Sequence, residues 1–451
     1  MDPCTLRQPH LHDLHRVQKD LHGRVDRACR HCPSLRPAGG TGTGSGRGAP
    51  GIRAVTAVAT PPRPLPPIAA EVDAALARMD AELDWLMALS PIGNVELWQA
   101  FDASGRTAMP ELRYIDLDID LQATRQRLLA LRVDEVESPL LSGLLAEKQR
   151  ELDRQLELVR LRGTDGFVNA SLDLFGGVEP PLLELAREIL RDVDAGVALQ
   201  ADAGIDEFMA ALEAELDWYH AQSADFHAEV VVDTDLNSLM LVNHGTFYVD
   251  GNLRIPHARV QPLIQHEIGT HVVTRHNGAR QPLTQLKVGL AHYDPLQEGL
   301  GVLAEFLAGY LPGERLRVLA ARVVAVDMAL QGEGVPAIFD VLHNSHALPT
   351  DDAFDVAVRA VRGGGLSKDA VYLRGLRDLV DYLHDDGDFE ALLVGKFALS
   401  HRVVLEQLMA EGWVVGPELL PRYVTDPAFA GRLELCRSLP VQHLHHTEPA
   451  T

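Results

Sequence analysis

The chain has 451 residues, 46% of them hydrophobic and 23% charged, with a formal net charge of −23 at pH 7. That length holds one large or two medium soluble domains. The acidic balance argues against nucleic acid or an anionic membrane as the main partner, since both need basic patches. No apolar run approaches the roughly 20 residues of a membrane span. Four cysteines do not make a disulfide framework in a chain of this size, which points to a reducing, cytoplasmic location.

Residues 1–68 read as a disordered extension rich in Arg, His, Gly and Pro, without the apolar stretch of a secretory signal. Within it, "GGTGTGSGRGAPG" has the composition of a flexible linker and "ATPPRPLPPI" that of a stiffer one. Cys29 and Cys32 form a C-x-x-C around His31, a metal-type pair that an unfolded extension also accommodates. Residues 69–226 form a helical region. "IAAEVDAALARMDAELDWLMAL", "SPLLSGLLAEKQRELDRQLELVRLRG", "EPPLLELAREILRDVDAG" and "GIDEFMAALEAELDWYHAQ" each repeat apolar residues at three- and four-residue steps. The Ser-Pro start and Gly163 stop bound the second of them.

Residues 227–434 change character. "AEVVVDT", "SLMLVN" and "TFYVD" are short β-branched or aromatic runs broken by "HG" and "DGN", which predicts a small antiparallel sheet. Pro256 then reads as a helix start and Gly278 as its stop. Further helices follow, and residues 435–451, with "QHLHHTE", read as a flexible tail. The fold class is mainly α (α+β), with one small sheet beside a central helix.

That helix carries "QHEIGTHVVTRHNG", residues 265–278. The usual zinc signature, H-E-x-x-H, sets its histidines four apart; here His266 and His271 are five apart. Each helical residue turns about 100°, so a four-residue step leaves side chains about 40° apart and a five-residue step about 140°. A one-residue π-bulge realigns them, and Gly269 between them eases that distortion. Glu267 then stands ready to take a proton from an activated water. A third ligand is expected from "DPLQEGLGVLAEF". Asp294, Pro295 and Gln297 read as N-cap, N1 and the N3 partner of a capping box. Glu298 falls in the first turn beside Gly299 and Gly301, giving a His2Glu set. Glu305, two turns on, reads as a supporting bond or a surface pair. The competing reading is an ordinary helix with two polar faces.

"HEIGTH" followed by "QEGLG" resembles the family of flavohemoglobin expression-modulating proteins with a QEGLA motif. That family includes the eukaryotic tyrosine carboxypeptidases that trim the C terminus of α-tubulin. The resemblance runs from about Ala69 to Glu434, and "GGGLSKDAVYLRGL" fits it as well. It implies Zn2+, with His266, His271 and Glu298 as ligands and Glu267 as general base. Gly301 stands where the motif has Ala, a change expected to leave the ligand geometry intact.

A carboxypeptidase must also hold a free carboxylate, a task for Arg or Lys. Arg275, one turn past His271, is a candidate, as are Lys368 and Arg374 in "LSKDAVYLRG", with Lys287 and Arg254 behind them. Tyr372 is a candidate hydrogen-bond donor to a tetrahedral oxyanion. His343 and His346 read as polar loop residues, Cys436 as buried, and "HDDGDFE" as a solvated turn. The sequence therefore reads as a zincin-like zinc metallopeptidase, a carboxypeptidase acting on a peptide or protein C terminus. Its rivals are an aminopeptidase or endopeptidase and a non-enzymatic metal-binding regulator of gene expression. Retention of Glu267 speaks against the regulator, because a structural zinc site has no use for a general base.

Overall fold

The first helix, α1, runs Pro67–Glu82 and begins on a proline at a position that suits its fixed φ. It ends before the predicted stretch does. Leu83 leaves the helical region at φ −97 and ψ 86, and a separate short helix, Trp85–Leu89, follows. This computed structural model describes residues 62–448 except 84, 198, 235, 237 and 363–365. Nearly all of the expected N-terminal extension, with Cys29 and Cys32, lies outside the described residues.

Helices α2 (Pro139–Leu161), α3 (Phe167–Phe175), α4 (Pro180–Asp192) and α5 (Ile205–His220) follow the predicted periods. α2 buries a charged residue, Lys148, which ion-pairs with Asp80 at 3.0 Å and Glu151 at 2.9 Å. The other Glu151 oxygen accepts from the backbone N–H of His292 at 2.6 Å. This bond reaches across to the start of a later helix that carries a site residue.

Three strands form the main sheet: β1 (Glu229–Asp233), β2 (Met240–Asn243) and β3 (Thr246–Asp250). The order is β1-β3-β2. β2 and β3 are an antiparallel hairpin, as expected, closed by His244 and Gly245 at φ 48 and 95, the two positive angles of a type I′ turn. β1 pairs with β3 in parallel, so the sheet is mixed where the sequence predicts an antiparallel one. Burial explains the order: Phe247 and Val249 of β3 are fully buried and take the centre, whereas Val232 of β1 is half exposed at the edge.

The apolar side chains gather into two cores. One joins residues 69–193 to residues 283–444. The other joins α5, the sheet and the motif helix, with Phe208, Tyr219, Phe247, Ile264 and Val273 among its members. α5 thus packs with the sheet that follows it, across the sequence boundary expected at 226. The C-terminal stretch, read as a flexible tail, is anchored: Cys436 and Leu444 are fully buried, and His446 Nδ1 accepts from the Leu311 N–H at 3.1 Å. The fold is mainly helical with small sheets, and no helix among the described residues is long and apolar enough to cross a membrane.

Candidate metal centre

The motif helix has three parts. α6 (Val260–His266) leads into a π-helical segment, Glu267–Val272, and α7 (Val273–Ala279) completes it. The predicted bulge lies between the two histidines. Its wider turn absorbs the extra residue, and the rings of His266 and His271 end 5.2 Å apart between centroids. Thr270 Oγ1 donates to the Gln265 carbonyl, five residues back, at 3.2 Å. A Cβ on Gly269 would fall 2.5 Å from Gln265 Oε1, so the end of the Gln265 side chain would have to shift.

The third group comes from α8 (Asp294–Leu307). One ligand atom each from His266, His271 and Glu298 lies within 4.8 Å of the others, with His266 Nε2 3.9 Å from Glu298 Oε2. Among the described residues this is the one cluster of three or more such groups. Two imidazole nitrogens and a carboxylate oxygen are the donor set of a catalytic zinc site. The residues present therefore fit a zinc ion.

Each imidazole is held from behind. His266 Nδ1 lies 2.9 Å from Glu305 Oε1. Glu305 is fully buried, and its other oxygen accepts from Arg259 at 2.7 Å, with Arg315 Nε 3.4 Å from the first. Burial alone would raise this carboxyl, but the two arginines and His266 hold it below the usual carboxylate range. It is therefore a fixed anion that aims the His266 Nε2 lone pair, the common way of orienting a ligating histidine. His271 Nδ1 lies 3.5 Å from Gln297 Oε1, which accepts from Thr274 Oγ1 at 2.8 Å. Burial, then the charges of His266 and Lys396, keep His271 well below the ordinary histidine range and so neutral.

Two local expectations give way. Asp294 does not cap α8: its carboxylate pairs with Lys368 at 2.8 Å. Gln297 does not close a capping box, because its side chain turns to Thr274 and His271. Nor is Gly301 a neutral exchange for Ala. A Cβ there would fall 2.6 Å from His266 Nε2, so the ligand ring occupies the space of the missing methyl.

Glu267 is buried beside His266, and burial raises its carboxyl to about 7 against the pull of His266, with Glu298 and Glu305 adding to the rise. α9 (Val371–His384) packs against α8 at closest range: a Cβ on Gly299 would fall 2.5 Å from the Gly375 carbonyl carbon. This approach brings Tyr372 under the influence of the Glu298 and Lys368 charges. The Arg322 guanidinium stacks 4.9 Å from the centre of the Tyr372 ring.

The expected substrate cations separate into two groups. Lys368 is committed to Asp294 and lies over the Trp85 and Phe175 rings. Arg374 clamps the end of α3, donating to the Phe175 and Gly177 carbonyls and pairing with Glu179 at 3.2 Å. Arg254 lies on a strand paired with Ala203–Gly204. Arg275 is half-buried and has no carboxylate within 4.0 Å among the described residues. One further cation escaped the sequence reading. Lys396 Nζ lies 5.7 Å from the centre of the Tyr293 ring, and its charge acts on His271. The remaining histidines keep polar roles: His343 Nδ1 donates to the Leu348 carbonyl at 2.9 Å.

A family model described as microtubule-associated tyrosine carboxypeptidase matches residues 99–437. That span contains every residue of the metal centre and both clusters of cations around it. No curated protein matches the chain. The match covers most of the sequence and agrees with the motifs from which the resemblance is drawn. The chain belongs to the microtubule-associated tyrosine carboxypeptidase family and is a carboxypeptidase-like hydrolase.

Proposed function

We propose that the chain is a zinc-dependent, zincin-like carboxypeptidase that removes a C-terminal residue, tyrosine by the name of its family, from a peptide or protein. The observation that carries this reading is the convergence of His266, His271 and Glu298 across the π-helical segment, with Glu267 beside them. A zinc ion there would supply Lewis-acid polarisation of the scissile carbonyl and a water nucleophilic at neutral pH.

The chain's own residues do the rest. Glu267 takes the proton of the attacking water and passes it to the leaving amine, a transfer that burial favours by raising the proton affinity of the carboxylate. The Tyr372 hydroxyl donates to the carbonyl oxygen as charge builds there. Glu305 and Gln297 keep the two imidazoles in their ligating orientation. Arg275 receives the substrate's free carboxylate, because Lys368 and Arg374 already have partners inside the protein. β2 is an edge strand beside the π segment, so an extended substrate chain adds to it as a further strand.

Mass spectrometry of a tyrosine-terminated peptide after incubation tests the reading. Loss of the last residue alone, abolished by a chelator and restored by zinc, is expected. Internal cleavage or trimming from the N terminus would overturn the carboxypeptidase assignment.

A further inference from the structure

Among the described residues, two cations near the metal centre, Arg275 and Lys396, have no carboxylate counter-ion. Arg275 extends from α7 across the β2–β3 turn, where a Cβ on Gly245 would fall 2.3 Å from its Nε. Gly245 sits at φ 95, so the turn and the close approach both require glycine. Lys396 is fixed through its backbone: its N–H donates to the Leu286 carbonyl at 2.7 Å and its carbonyl accepts from the Leu290 N–H at 3.0 Å. Its ammonium faces the Tyr293 ring. Tyr293 in turn lies flush on Gly289, where a Cβ would fall 2.4 Å from its ring.

The acids around them are already taken. Asp294 pairs with Lys368, Asp80 with Lys148, and Glu298 belongs to the metal cluster. Neither Arg275 nor Lys396 has a carboxylate within salt-bridge distance among the described residues. Lys396 feels the Arg275 charge, and burial together with that repulsion pulls it down to about 8. Holding two like charges within electrostatic range, half-buried and without a salt-bridge partner among the described residues, is unfavourable for the free protein. An anionic ligand group relieves it, and Lys396, whose charge acts on His271, draws that group towards the metal cluster.

On the carboxypeptidase reading above, we propose that Lys396 and Arg275 form a two-cation pocket for the α-carboxylate of the substrate's last residue. The two are chemically complementary. The guanidinium offers a planar, two-pronged grip and the ammonium a point charge. The pocket sets the length register: a chain that continues past the scissile residue has no carboxylate to place there, and its next peptide unit meets two desolvated cations. Lys396 is therefore a specificity-determining residue for a free C terminus.

The test uses the full-length, zinc-loaded E267Q protein, so that peptide is bound without being consumed. Fluorescence anisotropy follows a labelled Gly/Ser peptide ending in tyrosine, as the free acid and as the carboxamide. The free acid is expected to bind tighter than the amide. K396M is expected to weaken the free acid by about 10- to 100-fold, the usual cost of one charge-assisted hydrogen bond, and to leave the amide within about threefold. K396R keeps the charge and should keep the discrimination, which covers the case where K396M folds poorly. Equal weakening of acid and amide by K396M, or weakening of neither, overturns the assignment of Lys396. If E267Q alone bound acid and amide equally, the carboxypeptidase reading itself would fall.

Discussion

Substituting Gly301 with alanine restores the residue expected from the motif, and the structure predicts that it weakens metal binding. The added Cβ would fall 2.6 Å from His266 Nε2, 2.7 Å from Cε1 and 2.9 Å from Cδ2. Non-bonded contacts of this kind settle near 3.5 Å or more, so the ring must retreat by about 1 Å. A zinc–nitrogen bond tolerates about ±0.2 Å around its length of about 2.0–2.1 Å. Retreat is also opposed from behind, because Nδ1 is fixed 2.9 Å from Glu305, itself held by Arg259. G301A must therefore break the Glu305 bond or pull Nε2 from the metal. Losing a supporting bond alone costs about 10–100-fold in affinity. Displacing the ligand costs more, so a loss of at least about 100-fold, near 2.7 kcal/mol, is expected. The zinc-free protein should be far less affected, since alanine gains up to about 1 kcal/mol over glycine inside a helix. Competition against a chromophoric chelator reads the affinity. A value within about threefold of wild type would refute the argument that His266 fills the space at Gly301.

Other substitutions separate catalysis from architecture. E267Q should retain zinc while peptide trimming falls by about 10²–10⁴-fold, the range of general acid–base catalysis; unchanged turnover would remove Glu267 from the mechanism. K368M strands Asp294 as an unpaired buried charge and should cost about 3–5 kcal/mol in urea unfolding, with KM for a tyrosine peptide little changed. A large rise in KM at unchanged stability would instead make Lys368 a substrate residue. Asp352 offers a pH test away from the site. Burial, with Glu314, Asp355 and Asp351 nearby, raises it to about 6. Its folded value lies above the unfolded one, so the group favours folding at low pH and loses that contribution as pH rises through 6. D352N should therefore stabilise the protein at pH 7 by about 1–2 kcal/mol and change little at pH 4. Equal melting shifts at both pH values would contradict this.

Much of the site was legible because its signals are local. A five-residue histidine step with glycine inside it demands a widened turn, and the π segment at Glu267–Val272 supplies one. Glu298 stands in the first turn of the next amphipathic glutamate-bearing helix. What escaped the sequence depends on distant chain. Asp294 has every local mark of an N-cap, but Lys368 outbids the backbone for it. The β2–β3 turn is readable from "HG", yet nothing near it says that β3 will separate β1 from β2. Glu305 could be read as a supporting or a surface residue until its complete burial beside Arg259 was seen. Lys396 left one faint trace: it is the sole charge in "ALLVGKFALS", and a lone charge in an apolar run is ambiguous until its neighbours are known. Gly301 looked interchangeable because a sequence does not show which ring crosses the helix at that point.

X-ray absorption at the zinc edge, on protein purified with and without H271A, tests the central claim most directly. The account predicts one zinc per wild-type chain, with two imidazole nitrogens at about 2.0–2.1 Å and a carboxylate oxygen at about 2.0–2.2 Å, and loss of that signal in the variant. Zinc bound in the same amount and environment without His271 would show that the five-residue spacing does not build the site.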